Sequence, residues 1–152
     1  MATRKILQIG DKTLREVSTP VEKIDGEIIK LLDDMKDTLE YAEGAGLAAV
    51  QIGVTKRVFI VSVEEGYFEF INPVILKQAG VQKTKEGCLS VKGKVGVVER
   101  PNKVVVKAFD RDGRQFKLTA YGFFAKAICH ENDHLDGILY TDKATLIEDD
   151  KE

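Results

Sequence analysis

The chain has few of the residues that usually announce a function from composition alone. Tryptophan is absent, and cysteine and histidine occur twice each in 152 residues. Cys88 and Cys129 are too few for a disulfide framework, and they read as reduced thiols. No run approaches the roughly 18 apolar residues of a membrane span, and Met1 to Leu7 does not resemble a secretory segment. Together these absences lead us to expect a cytoplasmic protein with no membrane partner. Charge of one sign is also lacking. The 23 basic and 25 acidic side chains leave a net charge of −2, which argues against a dedicated nucleic-acid binder and its positive excess. There is no internal repeat, low-complexity segment or linker. What remains is 43% apolar and 32% charged, the balance of a soluble globular chain, read as one domain over residues 1–152.

The periodicities predict an α+β fold. Gln8 to Lys23 reads as mostly loop with one helical turn. Ile28, Leu31, Leu32, Met35 and Leu39 then recur at helical spacing. They predict a long amphipathic helix over 26–43, capped by Asp25 and stopped by Gly44 and Gly46. Arg57 to Val63, Tyr67 to Ile71 and Pro73 to Val81 read as strands, the last two separated by a turn at Asn72-Pro73. Lys103 to Phe109 and Gln115 to Thr119 form a half-buried hairpin around Asp110 to Gly113. A second helix is predicted over 121–136, and the acidic tail from Leu146 to Glu152 is expected to fray. Helix, short antiparallel strands and helix do not make a regular βαβ alternation.

Both histidines fall in one pattern, His130-Glu-Asn-Asp-His134, within the second predicted helix. A four-residue step turns a helix by about 400°, so the rings emerge about 40° apart and about 6 Å along the axis. Two imidazoles so placed can share one metal ion. Glu131, about 100° round the helix from His130, is poorly placed as a ligand but can reach a nearby water. A catalytic metal site usually takes three protein ligands. Continuing the pattern gives Gly137 and then Tyr140 where metzincin proteases have a third histidine, and the glutamates beyond it lie in the tail. Cysteine remains. Cys129 points about 100° away from the histidine face and reads as a small buried hydrophobe. Cys88, in Glu86-Gly-Cys-Leu-Ser90, is the preferred third ligand, and a site of two histidines and a cysteine suits zinc or ferrous iron.

Gly44, Gly46 and Ala49 superficially match a dinucleotide-binding pattern, but they follow a helix and lead towards a strand, the reverse of what that mechanism requires. Small residues here let a substrate backbone come close, and the amide of Gln51 can donate to a developing oxyanion.

Gly44 to Gln51, Glu86 to Ser90 and His130 to His134 together resemble, in order and across essentially the whole chain, the three motifs of the peptide deformylase family. The resemblance implies hydrolytic removal of the N-formyl group from formyl-methionine on newly made bacterial polypeptides, the expected partners. It implies Cys88, His130 and His134 as metal ligands, Glu131 as general acid and base, and Gln51 with the Leu89 amide as oxyanion donors. Gly46, Glu86 and the surroundings of Ala127 would meet substrate. It also implies Fe²⁺, with Ni²⁺ or Co²⁺ as active substitutes and Zn²⁺ usually less effective. The chain departs from the family pattern at Cys129, often glutamine, and at Lys92, in a stretch where many members carry proline. Lys126 has no assigned direction. Some members reach the ribosome through a basic C-terminal helix; the acidic segment here would repel ribosomal RNA, which leaves ribosome contact open and stable nucleic-acid binding unexpected. Two other readings share the helix motif: a general metallopeptidase, and a structural metal module without catalysis.

Overall fold

The structure is a computed structural model that describes residues 2–150. The first helix, α1 (Gly26–Ala42), begins where Asp25 accepts hydrogen bonds from the amides of Glu27 and Ile28 at 3.1 and 3.2 Å. This side chain satisfies two donors that a helix start leaves unpaired. The helix ends one residue earlier than its spacing predicts. Glu43, not a glycine, takes the left-handed conformation there (φ 56°). Gly44 is glycine for another reason: a Cβ on it would stand 2.9 Å from Leu89 Cδ1 and 3.0 Å from Leu39 Cδ1.

Next come β1 (Gly46–Ala48), a 3₁₀ turn (Ala49–Ile52), β2 (Val58–Val63) and β3 (Gly66–Ala79). The two strands expected on either side of Asn72 are one long strand. Asn72 instead makes a bulge inside it, in the left-handed region that Asn tolerates (φ 51°). Its side chain is occupied by the amide and carbonyl of Val21 at 2.8 and 2.9 Å. The chain continues with β4 (Gln82–Cys88), β5 (Val91–Arg100), β6 (Lys103–Phe109), β7 (Gln115–Tyr121), α2 (Gly122–Leu135) and β8 (Leu146–Asp149).

All the strand pairs are antiparallel, in a five-stranded sheet of order β1-β2-β3-β6-β7 and a three-stranded sheet of order β4-β5-β8. The sheet β4-β5-β8 is formed by two stretches to which the sequence pattern assigns no strand and by the segment expected to fray. Ion pairs of Lys85 with Glu148 and of Lys94 with Asp149 accompany the pairing of the acidic segment with β5. Lys151 and Glu152 lie outside the described residues.

The larger sheet is covered on both faces. β2 shows why: Phe59 and Val61 point into a core with α2, while Val58 and Ile60 point into a core with α1. Phe59 stacks on Phe70 with ring centroids 4.6 Å apart, and Phe68 stacks on Phe124 of α2 at 4.9 Å. Burial of aromatics on one side and aliphatics on the other thus sets α2 against the sheet, with its far side turned towards β4 and β5. Among the described residues no helix is long and apolar enough to cross a membrane.

Candidate active site

Three elements meet where α2 passes between the two sheets. From α2 come His130, Glu131 and His134, all buried. The end of β4 supplies Glu86 and Cys88, with a register shift between them. The 3₁₀ turn after β1 supplies Gln51. A cavity of about 420 Å³ opens here, its walls including Gly46, Cys88, Ala127, His130 and Glu131.

Cys88 Sγ lies 3.4 Å from His134 Nε2. One donor atom from each of Cys88, His130 and His134 falls within 4.8 Å of the other two, a separation at which all three can share one ion. His130 is oriented through its other nitrogen: Nδ1 is 2.8 Å from Glu86 Oε1. Fixing an imidazole through the nitrogen that does not face the metal is a recurrent device in metal sites. Glu86 is itself clamped by Arg100, whose Nε and Nη2 donate to its two oxygens at 2.8 and 2.9 Å. Arg100 is almost wholly buried and also donates to Asp133 at 2.6 Å. Burial alone would raise the Glu86 pKa, but the hydrogen bonds from Arg100 and His130 hold it at about 2.

The surroundings suit a cation. Burial opposes the charged form of His130, yet hydrogen bonding with Cys88 and Glu86, and the charge of Glu131, raise its pKa to about 10. Carboxylates on two sides of the ring favour positive charge here. Burial, and then the neighbouring His130, keep His134 well below the ordinary histidine value, so its ring is neutral and able to ligate. Burial lifts the Glu131 pKa to about 7, and its Oε1 is buried with no hydrogen-bond partner among the described residues. A Cβ on Gly46 would stand 2.6 Å from Glu131 Oε2, so only glycine lets β1 come this close to the carboxylate.

Gln51 is held at both ends. Its Oε1 accepts from the Ala48 amide at 2.9 Å, which leaves Nε2 to donate to Ser90 Oγ at 3.0 Å and to approach Cys88 Sγ at 3.6 Å. The Leu89 carbonyl accepts from Gln8 Nε2 at 2.9 Å.

Residues 3–150 match the family model for polypeptide deformylase. The chain is 54% identical to peptide deformylase of Caldicellulosiruptor bescii over 94% of this chain and 86% of that one. The chain belongs to the polypeptide deformylase family. The peptide deformylase of Pelotomaculum thermopropionicum is 51% identical over 97% of this chain and 95% of its own. The crystal structure of the Thermotoga maritima peptide deformylase superposes with a TM-score of 0.93 at 33% identity, covering 96% of this chain and all of that one. Membership makes this chain a hydrolase that removes the N-formyl group from nascent polypeptides, the reading the three motifs support over a general metallopeptidase or a structural metal module.

The structure brings the residues of the three deformylase motifs together at one cavity. Gly46, Glu86, Cys88, Leu89, Ala127, His130 and Glu131 line it, and Gln51 stands behind Cys88. Cys129 is buried away from the cavity, with its thiol pKa raised by burial to about 11. Lys92 and Lys126 are on the cavity wall. Sequence reasoning misses Arg100, Asp133 and Ser90. Arg100 carries no motif, but on β5 the alternate positions Gly96, Val98 and Arg100 all face inward. An arginine at an inward strand position signals a buried counter-charge, once the strand is recognised.

Proposed function

We propose that Cys88, His130 and His134 hold the metal of this deformylase and that Glu131 carries the proton during hydrolysis of the formyl amide. The observation that carries the reading is the coincidence, beside one cavity, of three convergent donor atoms and a buried carboxylate oxygen that has no hydrogen-bond partner among the described residues. The donor set, one thiolate and two imidazoles, fits ferrous iron, with nickel, cobalt or zinc as substitutes. Bound there, a divalent ion would supply polarisation of the formyl oxygen and a lower pKa for water beside it.

The rest is done by the chain's own side chains. Glu131 stands 4.0 Å from His130 Nε2, beside the donor cluster. From there it can accept the proton of an attacking water and return it to the leaving amine. Gln51 Nε2, aimed by the Ala48 amide, and the backbone amide of Leu89 donate to the charge that develops on the formyl oxygen. One such preorganised donor is worth about 3 kcal/mol. Gly46 allows the substrate backbone close to Glu131, Ala127 leaves room for the methionine side chain, and Glu86 with Arg100 keeps His130 in its orientation. Formyl-methionyl nascent chains are the partners on this reading, the cytoplasm is the compartment, and no stable nucleic-acid partner is required.

The test is formate release from a formyl-methionyl tripeptide by protein prepared without oxygen, with bound metal measured in the same sample. Turnover should follow iron or nickel occupancy, disappear on chelation and return when the ion is restored. A fully metallated protein that releases no formate would overturn the proposal.

A further inference from the structure

The wall of the cavity formed by α2 contains a cation that the chemistry of deformylation does not use. Phe123, Lys126, Ala127, His130 and Glu131 line it in sequence order, so α2 runs along the cavity from its reacting end outward. Lys126 is only partly exposed. Its Nζ donates to the Lys85 carbonyl at 3.2 Å and lies 4.8 Å from the Phe123 ring centre. It forms no ion pair among the described residues, and burial lowers its pKa from the ordinary lysine value. The other lysines of the cavity differ from it. Lys85 is paired with Glu148 and Lys94 with Asp149, while Lys92 is exposed at the mouth. Asp150 also lines the cavity.

A substrate in extended conformation has a period that matches this wall. From Ala127 to Phe123 the helix advances about 6 Å. From the first to the third residue an extended chain advances about 7 Å, and those two side chains point to the same side. With a methionine seated at Ala127 and the chain running outward along α2, the third side chain of the nascent polypeptide reaches Phe123 and the Lys126 ammonium. We propose that Lys126 is a specificity-determining residue that selects nascent chains with an acidic third residue. The inference rests on the assignment of the cavity to formyl-methionyl substrates. The lysine stem and the phenylalanine ring shield one side of the ammonium, so a carboxylate there replaces a weak carbonyl contact with an ion pair.

The measurement is kcat/KM for C-terminally amidated formyl-Met-Ala-Asp and formyl-Met-Ala-Asn, which differ in charge but hardly in shape. The expected aspartate preference is about fivefold at low salt, the size of a partly exposed ion pair. It should shrink as salt is raised, because the charges are reached by solvent. Lys126→Met should bring the ratio to one, and Lys126→Arg should retain it. The aspartate preference should also be lost when the acid is moved to the second residue, whose side chain points the other way. Equal rates for the two peptides in the unaltered protein, or a preference that survives Lys126→Met, would overturn the role of Lys126. If that variant does not fold, a ratio insensitive to salt in the unaltered protein does the same. Absence of formate from every peptide strikes instead at the assignment of the cavity itself.

Discussion

The two helices lie against opposite faces of one sheet, and each buries charged groups, but they treat those groups differently. On α1 the buried Asp34 is met from several sides. It accepts from the Ala2 amide at 2.9 Å, from Arg4 Nε and Nη2 at 2.9 and 2.6 Å and from Lys30 Nζ at 2.9 Å. Thr38, one turn on, returns its hydroxyl to the Asp34 carbonyl at 2.7 Å. On α2 several buried polar atoms are left incomplete: Glu131 Oε1, Asn132 Oδ1 and His134 Nδ1 have no hydrogen-bond partner among the described residues. Nor does α2 have a side-chain cap at its start, where α1 has Asp25. An unpaired buried polar atom costs roughly 1–3 kcal/mol. Helix α1 uses its charges to hold the N-terminal segment to the fold. Helix α2 instead leaves a buried carboxylate, Glu131, on the wall of the cavity.

The strongest way to break this comparison is Glu131→Gln. Removing the ionisable carboxyl should lower kcat for deformylation by about 10²–10⁴-fold, the usual contribution of a general acid and base. The melting temperature should stay level or rise, because a charge is removed from a buried site. A variant that loses stability in step with activity would make Glu131 a structural group like Asp34.

Arg100→Met comes next. It removes the arginine from Glu86 and Asp133 at once; Asp133 keeps Lys143 Nζ at 3.0 Å, but the buried Glu86 carboxylate loses its arginine, at about 3–5 kcal/mol. The denaturant midpoint should fall by that amount with an unchanged slope, and metal retention should weaken because His130 loses its anchored neighbour.

Asp34→Asn sharpens the other side of the comparison. We expect a loss of about 1–3 kcal/mol near neutral pH, read from the denaturant midpoint, with formate release little changed. The acid response carries the sign. Hydrogen bonds from Lys30 and Arg4 hold the Asp34 carboxyl well below the usual carboxylate range. The unfolded chain therefore binds the proton first. The stability this carboxylate contributes is complete above its ordinary pKa of about 4 and is lost as the pH falls below it. In the asparagine variant that part of the acid slope should vanish. A smaller effect, about 1 kcal/mol, is expected from Asp25→Ala at the start of α1, seen as a lower melting temperature with unchanged turnover.

Much of the site is legible in the amino-acid sequence. A three- or four-residue period places His130, Glu131 and His134 by helix geometry alone, and the scarcity of histidine leaves no competing pair. The amphipathic stripe of α1, its Asp25 cap and the hairpin around Gly113 are equally readable, since each depends on neighbours in the chain. The sheet β4-β5-β8 is not. Its polar, glycine-containing strands have weak local preference, and the pairing of β8 with β5 joins residues about fifty positions apart in the chain.

By itself the sequence determined which side chains are available for chemistry and, through local periodicity, the helix face that presents two of them. Only the tertiary structure decided that Cys88 meets that face, that Gly46 must lack a side chain because Glu131 occupies its space, and that Arg100 stands behind Glu86. These relations join residues far apart in the chain, and they depend on strand register and on which faces the sheet covers. A sequence shows spacing along the chain, but the energy of a buried charge is set by what the fold brings within a few ångströms of it.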